Sequence, residues 1–455
     1  MNKDKLSSRD VFSSKFGVIA AAAGSAVGLG NIWKFPYITG VYGGAAFLFV
    51  YLGFIALIGL PVMLSELAIG RKSRRNVFGA FKYLAPNSPW KFVGMLGVAA
   101  AVMILAFYGV VAGWSIDYIV KAFAGSFVAK SPDEMESMFV NFIESPVSPI
   151  LYQLLFMVMT MAIVIIGVKD GIEKYAKFLM PLLVVIIIVL CVRSVTLEGA
   201  SEGLKFLFNP DFSKLTADGI LSALGHAFFS LSLGMGTLVT YGSYIDNKNN
   251  IAVTALQVTI ADTVIAILAG IAIFPAVFAF GIEPNSGPGL VFITLPNVFQ
   301  QMPGGFFFSI LFFLLLTVAA LTSSISILEV VVAYFREELN LKRNFSTILA
   351  TVMISFIGVF CSLSMGMLKE YTMFGLNFFD LLDWISANIL LPLEGLFISL
   401  FVGWYLGRKK MEKEFAKGAR TVNWLVAAFI FLVKFIAPGA IAIVFLHGLG
   451  VFNFG

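Results

Sequence analysis

Charge is scarce in this chain, and so are the residues from which most enzymes build their sites. Only 13% of its 455 residues are charged, and there are two histidines and two cysteines. Too little polarity remains to coat a soluble domain of this length. His226 and His447 stand far apart in the sequence with no cluster of Cys, His and acids around either. A metal or nucleophilic enzyme therefore lacks its constellation, and the chain does not read as an enzyme. Cys191 and Cys361 both fall inside apolar runs, which reads as buried thiols rather than a disulfide. No basic tract offers itself to nucleic acid, and nothing sets an oligomeric state. A cleavable leader pattern is also missing, because residues 1–15 are polar and charged and the first apolar run is long enough to span.

What is present is apolar. Hydrophobic residues make up 59% of the chain, with 47 Phe and a mean hydropathy of +0.93. Runs long enough to cross a bilayer recur at 13–38, 41–70, 90–124, 149–167, 175–196, 217–244, 250–281, 304–335, 345–367, 376–405 and 423–449. The expectation is an all-α integral membrane protein of eleven transmembrane helices, here spans 1 to 11. Positive charge orients them. Of the 31 basic residues, 23 fall before span 1, between spans 2 and 3, 4 and 5, 6 and 7, 8 and 9, and 10 and 11, or within the first three residues of the span that follows. That side is cytoplasmic by the positive-inside rule, with the N-terminus inside, the C-terminus outside and the cell membrane as location. The net charge of +5 is thus an orientation signal, and acidic residues such as Asp133, Glu134, Glu136 and Glu144 lie on the other side.

Two spans carry residues that a lipid-facing helix avoids. Span 1 contains Gly24-Ser-Ala-Val-Gly-Leu-Gly-Asn-Ile-Trp-Lys-Phe-Pro36, and span 6 contains Phe228-Phe-Ser-Leu-Ser-Leu-Gly-Met-Gly236. Freed backbone groups have no partner in hydrocarbon, so irregular backbone survives there only inside protein or beside a cavity. Gly24 and Gly28 also fit a small-residue packing stripe, but Gly28-Leu-Gly30-Asn31 followed by Pro36 goes beyond what packing needs. Interrupted helices at matching positions of two halves point to a transporter site between inverted repeats. A broken helix offers carbonyls to a cation and an N-terminus to a carboxylate.

These motifs resemble those of the neurotransmitter:sodium symporter family, in its bacterial amino-acid branch with the leucine-transporter fold, over nearly the whole chain. The resemblance implies two inverted five-helix repeats, spans 1–5 and 6–10, with spans 1 and 6 unwound. The organisation expected is a cytoplasmic tail at 1–12, repeats at 13–196 and 197–405, and a loop with span 11 at 406–455. It implies a substrate and two sodium ions at the centre.

By that resemblance the first sodium ion is held by Ala26, Asn31, Ser230 and Asp262. The family more often has Thr and Asn at the last two positions. Asp262 sits in an otherwise apolar stretch, and an intramembrane carboxylate is costly enough to mark a site. Chloride-dependent relatives carry Ser where this chain has Ala266, so Asp262 supplies the negative charge and no chloride is expected. The second ion falls to Gly24, Val27, Ala319, Thr322 and Ser323. The carboxylate of a zwitterionic substrate faces the amides near Leu29 and Gly30 and Tyr108. Its ammonium faces carbonyls of Ala26, Phe229, Ser230 and Ser232. Ile104, Tyr108, Phe229, Met235, Ser323, Ser326 and Ile327 line the side-chain pocket. Met235 stands where relatives have an aromatic ring, which suits hydrophobic and aromatic L-amino acids because methionine adapts to bulky groups.

The family's gates map in the same way. Outside, Lys34 replaces an Arg, with Asp383 or Asp380 as its partner, and His226 replaces a Gln. Phe229 and Tyr108 form a lid. Inside, Arg9 faces Glu337, braced by Tyr244, with Phe12 in place of the usual Trp. Gly171 and Pro181 reproduce the spacing at which span 5 unwinds, and Glu66 supports the unwound part of span 6. The reading is a sodium-coupled, chloride-independent amino-acid importer working by alternating access. The alternatives are the same fold carrying an osmolyte, nucleobase or sugar, and a channel.

Overall fold

The computed structural model describes residues 10–281, 289–418 and 423–451, and within them the chain is helical throughout. The long elements are α1 (Lys15–Ala26), α2 (Gly30–Val41), α3 (Ala45–Ser73), α4 (Lys91–Phe123), α5 (Ser148–Ile166), α6 (Val168–Val195), α7 (Ala217–Ser230), α8 (Thr237–Gly242), α9 (Ile251–Ala279), α10 (Gly305–Glu338), α11 (Arg343–Leu363), α12 (Phe378–Phe415) and α13 (Asn423–Gly448). Short helices at Val77–Leu84, Pro132–Glu144, Ala200–Phe208 and Leu295–Gln301 lie in the connections.

Nine of the described helices are long and apolar enough to cross a membrane, and a tenth span forms if α1 and α2, bent by 47° at their break, are counted together. The sixth span expected from the sequence is two shorter helices, α7 with 14 residues and α8 with six. Neither half alone crosses a bilayer, which is why span length reaches ten rather than eleven. Two boundaries also differ from expectation. Helix begins at Val168 rather than 175, through a wide turn in which Ile172 N–H reaches Gly167 C=O at 3.0 Å. Helix also continues past 405 to Phe415, turning at Gly407, whose φ of +70° glycine adopts without strain.

The ends are set by local chemistry. Ser14 caps α1 by accepting from Gly17 N, Thr216 caps α7 through Gly219 N, and Asn377 caps α12 through Asp380 N. Inside the bundle α4 and α10 are the most enclosed, with 72% and 67% of their most apolar window buried, against 22% for α13. Phe178, Val185 and Val192 of α6, Val352 and Phe356 of α11, and Phe431 and Phe435 of α13 face outward. These side chains suit lipid, so the apolar excess is divided between a packed centre and a hydrocarbon-facing belt.

Candidate functional site

Both interruptions expected from the sequence are real breaks, and they lie side by side. Between α1 and α2 the chain leaves helical geometry at Val27, whose ψ is 106°, and resumes at Gly30 in a wide turn closed by Phe35 N–H on Gly30 C=O. Between α7 and α8, three residues have left-handed φ: Ser232 at +55°, Gly234 at +69° and Gly236 at +70°. Gly234 is doubly required, since a side chain there would also meet the Leu391 carbonyl at 2.5 Å. Glu66 of α3 takes the freed Gly234 N–H at 2.9 Å, and Ser232 Oγ donates to the Ser25 carbonyl at 2.8 Å. The second bond ties one break to the other.

A polar cluster fills the space beside them. Asn31 Nδ2 donates to Asp262 Oδ1 at 2.7 Å, and Ser230 Oγ donates to the same carboxylate at 2.9 Å. Asn31 Oδ1 accepts from Gly28 N at 3.1 Å, and all three side chains are sealed from solvent. Residues from α2, α7 and α9 therefore converge on one buried carboxylate. Ala266, one turn further along α9, is buried and adds no polar group.

A second cluster joins α1 to α10. Ser323 Oγ lies 2.7 Å from Ser25 C=O and 3.4 Å from both Gly24 C=O and Val27 C=O. Thr322 Oγ1 lies 2.9 Å from Ala319 C=O and 3.4 Å from Val27 C=O. The carbonyls of Gly24, Val27 and Ala319 and the two hydroxyls thus share a small buried volume. That is the oxygen-rich environment a hard monovalent cation requires. Met180, next to Pro181 on α6, packs against the face of Gly24.

Tyr108 stands where the first break meets α10. Its hydroxyl accepts from Leu29 N–H at 2.9 Å and is hydrogen-bonded to Ser323. Gly28 makes the approach possible, because a Cβ there would sit 2.6 Å from Tyr108 Oη and closer still to Ser323 Oγ. Ile104, Ser232, Met235, Ser323, Ser326 and Ile327 are buried, with Ser326 Oγ donating to Ser323 C=O at 2.6 Å. Phe229 is partly exposed and lies over Gly30. Leu29, Lys34, Phe107, Tyr108, Phe229 and Asp383 line a cleft above this region.

Lys34 Nζ is 3.6 Å from Asp383 Oδ1 and 4.8 Å from the Phe229 ring centroid. Asp380 instead takes the Asn377 side-chain amide at 2.7 Å. His226 is buried between the rings of Phe35 and Tyr51, with centroids 5.8 and 5.3 Å away, and also lines a cleft with Lys34 and Asp383. At the other end Arg9 lies outside the described residues, so its pairing with Glu337 is not seen. Glu337 accepts from Asn76 N at 2.9 Å. Tyr244 donates its hydroxyl hydrogen to Glu329 at 2.7 Å, and Glu329 pairs with Arg343 at 2.7 Å. Glu329 is a buried acid two turns before Glu337 on α10, so Tyr244 and Arg343 meet on it. Phe12 packs edge-on against Tyr241 and Tyr244. Gly171 sits in the wide turn that opens α6, and its missing side chain makes room for the Ile163 carbonyl.

Four participants escaped the sequence reading. Tyr51 donates to Ser230 Oγ at 3.1 Å. Glu394 is buried beside Glu66, with neither carboxylate oxygen hydrogen-bonded within the described residues. Its signal was available, because it is an acid in an apolar run like the two acids singled out. Glu173 grips the start of α1, accepting from Ser13 N at 2.6 Å, Ser13 Oγ at 2.7 Å and Ser14 Oγ at 3.0 Å. Arg71 is buried and pairs with Glu414 at 2.6 Å, tying α3 to the end of α12. Both sit among other charges in the sequence, where nothing sets them apart.

Known proteins resemble this chain in sequence and in fold. The sequence profile described as the sodium:neurotransmitter symporter family matches residues 9–137 and 140–453. The sodium-dependent transporter YhdH of Bacillus subtilis is 41% identical over 443 residues, 97% of this chain and 98% of its own. A sodium-dependent transporter of Haemophilus influenzae is 38% identical over 97% of this chain and 98% of its own. The crystal structure of MhsT in complex with L-phenylalanine is 48% identical, covers 97% of this chain and 100% of its own, and superposes with a TM-score of 0.90.

Proposed function

We propose, from the premise that the chain belongs to the sodium:neurotransmitter symporter family and is a multi-pass, sodium-dependent membrane transporter, that it imports hydrophobic and aromatic L-amino acids without chloride. The carrying observation is the convergence of Asn31, Ser230 and Asp262 beside two broken helices. In this reading α1 with α2, and α7 with α8, each count as one span, giving eleven. The first ten form two inverted five-span repeats (13–196 and 197–405) around the site. The basic loops put the N-terminus in the cytoplasm and the C-terminus outside.

Two sodium ions travel with the substrate. One takes the Ala26 carbonyl with Asn31, Ser230 and Asp262, after Asn31 Oδ1 leaves Gly28 N. The other takes the carbonyls of Gly24, Val27 and Ala319 with Thr322 and Ser323. Asp262 carries a full negative charge beside the first ion, which makes chloride unnecessary. The substrate carboxylate binds between Leu29 N–H and Tyr108, which lie 2.9 Å apart, and replaces the Tyr108 oxygen as the acceptor of the Leu29 N–H. Its ammonium meets the carbonyls at the ends of α1 and α7. Ile104, Met235, Ser326 and Ile327 take the side chain, and the L-phenylalanine bound by MhsT supports an aromatic guest. Carboxylate and sodium attract one another, so each raises the affinity of the other by the same factor. Lys34 with Asp383 closes the outside, and Arg9 with Glu337 the inside.

The test is uptake of labelled phenylalanine, leucine and glycine into proteoliposomes under an inward sodium gradient, with gluconate replacing chloride. Sodium-driven accumulation of phenylalanine and leucine that ignores chloride is expected. Uptake without sodium would refute the ion assignment, and uptake of neither phenylalanine nor leucine would refute the cargo.

A further inference from the structure

Glu173 lies where the segment before α1 meets the start of α6, and it is buried there with 1% of its surface exposed. Its carboxylate accepts from Ser13 N at 2.6 Å, Ser13 Oγ at 2.7 Å and Ser14 Oγ at 3.0 Å, and pairs with Lys177 Nζ at 2.5 Å. Three of these four contacts come from the segment before α1, and only Lys177 belongs to α6. Ser14 also caps α1, its hydroxyl accepting from Gly17 N at 3.0 Å. On its other side the segment is held by Phe12, whose N–H donates to Tyr244 C=O at 3.1 Å. Residues 12–14 thus bridge the turn after α8 and the first turn of α6.

A carboxylate sealed from water needs its hydrogen bonds, and here most of them come from a segment at the water boundary, where Ser13 is exposed. If residues 13 and 14 leave, Glu173 keeps Lys177 alone and must be reached by water. The turn that carries it is weakly held. Val168–Glu173 is wound wider than an α-helix and follows Gly167, whose φ is +119°. Pro181 withholds the bond that the Lys177 carbonyl would accept. Departure of the segment and opening of the turn therefore cost less together than the two cost separately.

The first turns of α6 carry that event to the oxygen-rich cluster of α1 and α10. Glu173 lies against Gly17, where a side chain would collide with its carboxylate, and Met180 lies against Gly24. The two contacts are seven residues apart on both helices, about 10.5 Å at 1.5 Å per residue, so α1 and α6 run parallel and in register there. Gly24 supplies one of the carbonyls of the cluster that holds Thr322 and Ser323.

We infer that Glu173 is a positioning residue that couples the inner closure to the second ion site. While its carboxylate holds Ser13 and Ser14, the start of α6 stays wound and Met180 stays on Gly24. When they let go, the turn opens and water reaches the ion cluster from that side. The coupling rests on the sodium-site reading above, but Glu173 itself touches neither ion nor substrate.

The test is amide hydrogen exchange of the purified full chain in lipid nanodiscs, compared in sodium and in potassium. In the wild type, sodium should slow exchange both at residues 12–17 and at residues 168–180. Glu173→Gln keeps the side-chain length and removes the charge. It should speed exchange at 12–17 by about tenfold and abolish its response to sodium, while 168–180 still responds. Half-maximal protection of 168–180 should then need about fivefold more sodium, because the latch no longer helps to keep the turn closed. Ser13→Ala changes an exposed position that does not threaten folding, and it should shift both readouts in the same direction by less. A sodium response at 12–17 in Glu173→Gln equal to that of the wild type would overturn the coupling and leave a structural contact. So would a wild type in which sodium protects 168–180 but not 12–17. A wild type protected by sodium in neither stretch would overturn the second ion site, and the coupling with it.

Discussion

Asp262→Asn tests the charge logic of the site most directly. The carboxylate is fully buried and accepts from Asn31 at 2.7 Å and from Ser230 at 2.9 Å, the two side chains proposed to hold the first sodium ion together with it. An ion on those ligands stands about 4 Å from the carboxylate charge. At an effective dielectric of about 20 that attraction is about 4 kcal/mol. Asparagine removes it, but it also removes the cost of burying a charge, and it keeps one oxygen able to accept from Asn31. If about half the attraction is lost net, the sodium concentration for half-maximal uptake rises by between tenfold and a hundredfold, at about 1.4 kcal/mol per decade. The assay is phenylalanine uptake into proteoliposomes across a sodium titration in chloride-free gluconate buffer. Adding chloride should leave the wild type unchanged. It should partly restore Asp262→Ser, whose small side chain leaves room for an anion in the carboxylate's place. A wild-type sodium curve for Asp262→Asn without chloride would refute the reasoning, because the carboxylate would then be only a hydrogen-bond acceptor.

Three further outcomes follow from the same geometry. Gly28→Ala places a methyl 2.6 Å from Tyr108 Oη, so Tyr108 must shift at a cost of about 1–3 kcal/mol, and equilibrium binding of labelled phenylalanine should weaken at least about tenfold; an unchanged Kd would remove Tyr108 from the carboxylate site. Lys34→Ala breaks a partly exposed pair worth about 0–1 kcal/mol, so substrate exchange across the proposed outer gate should quicken by no more than about fivefold in counterflow, while Lys34→Arg slows it through bidentate pairing. Glu173→Ala strips three hydrogen bonds and Lys177 from the start of α1, and amide exchange over residues 13–17 should speed up more than about tenfold with little change in exchange along α4; equal protection in the variant would show that the contact holds nothing.

What could be read from the sequence was whatever breaks a local rule. Glycine beside asparagine inside an apolar run contradicts a continuous helix, and so does Ser230-Leu-Ser-Leu-Gly234; both are interruptions in the structure. Asp262 and Glu66 contradict the same rule in charge, and each ends against a broken helix. Glu394 breaks it too and was passed over only because no motif surrounds it. Tyr51 breaks no rule, since a tyrosine in a membrane helix is ordinary until folding brings it to Ser230, 179 residues away. Glu173 and Arg71 lie in charged stretches that read as solvated, yet both are buried where helices meet. Glu329 was passed over as well, and there the hydroxyl of Tyr244, in the turn after α8, and the guanidinium of Arg343 on α11 meet a carboxylate of α10, a geometry that only folding creates. Residues such as Glu173, Arg71 and Glu329, and the proposed inner gate with them, are hard to pick out in sequence for a physical reason. A gate must sit at the water boundary, where charge is unremarkable, whereas an ion site within the bilayer must put charge where charge is costly.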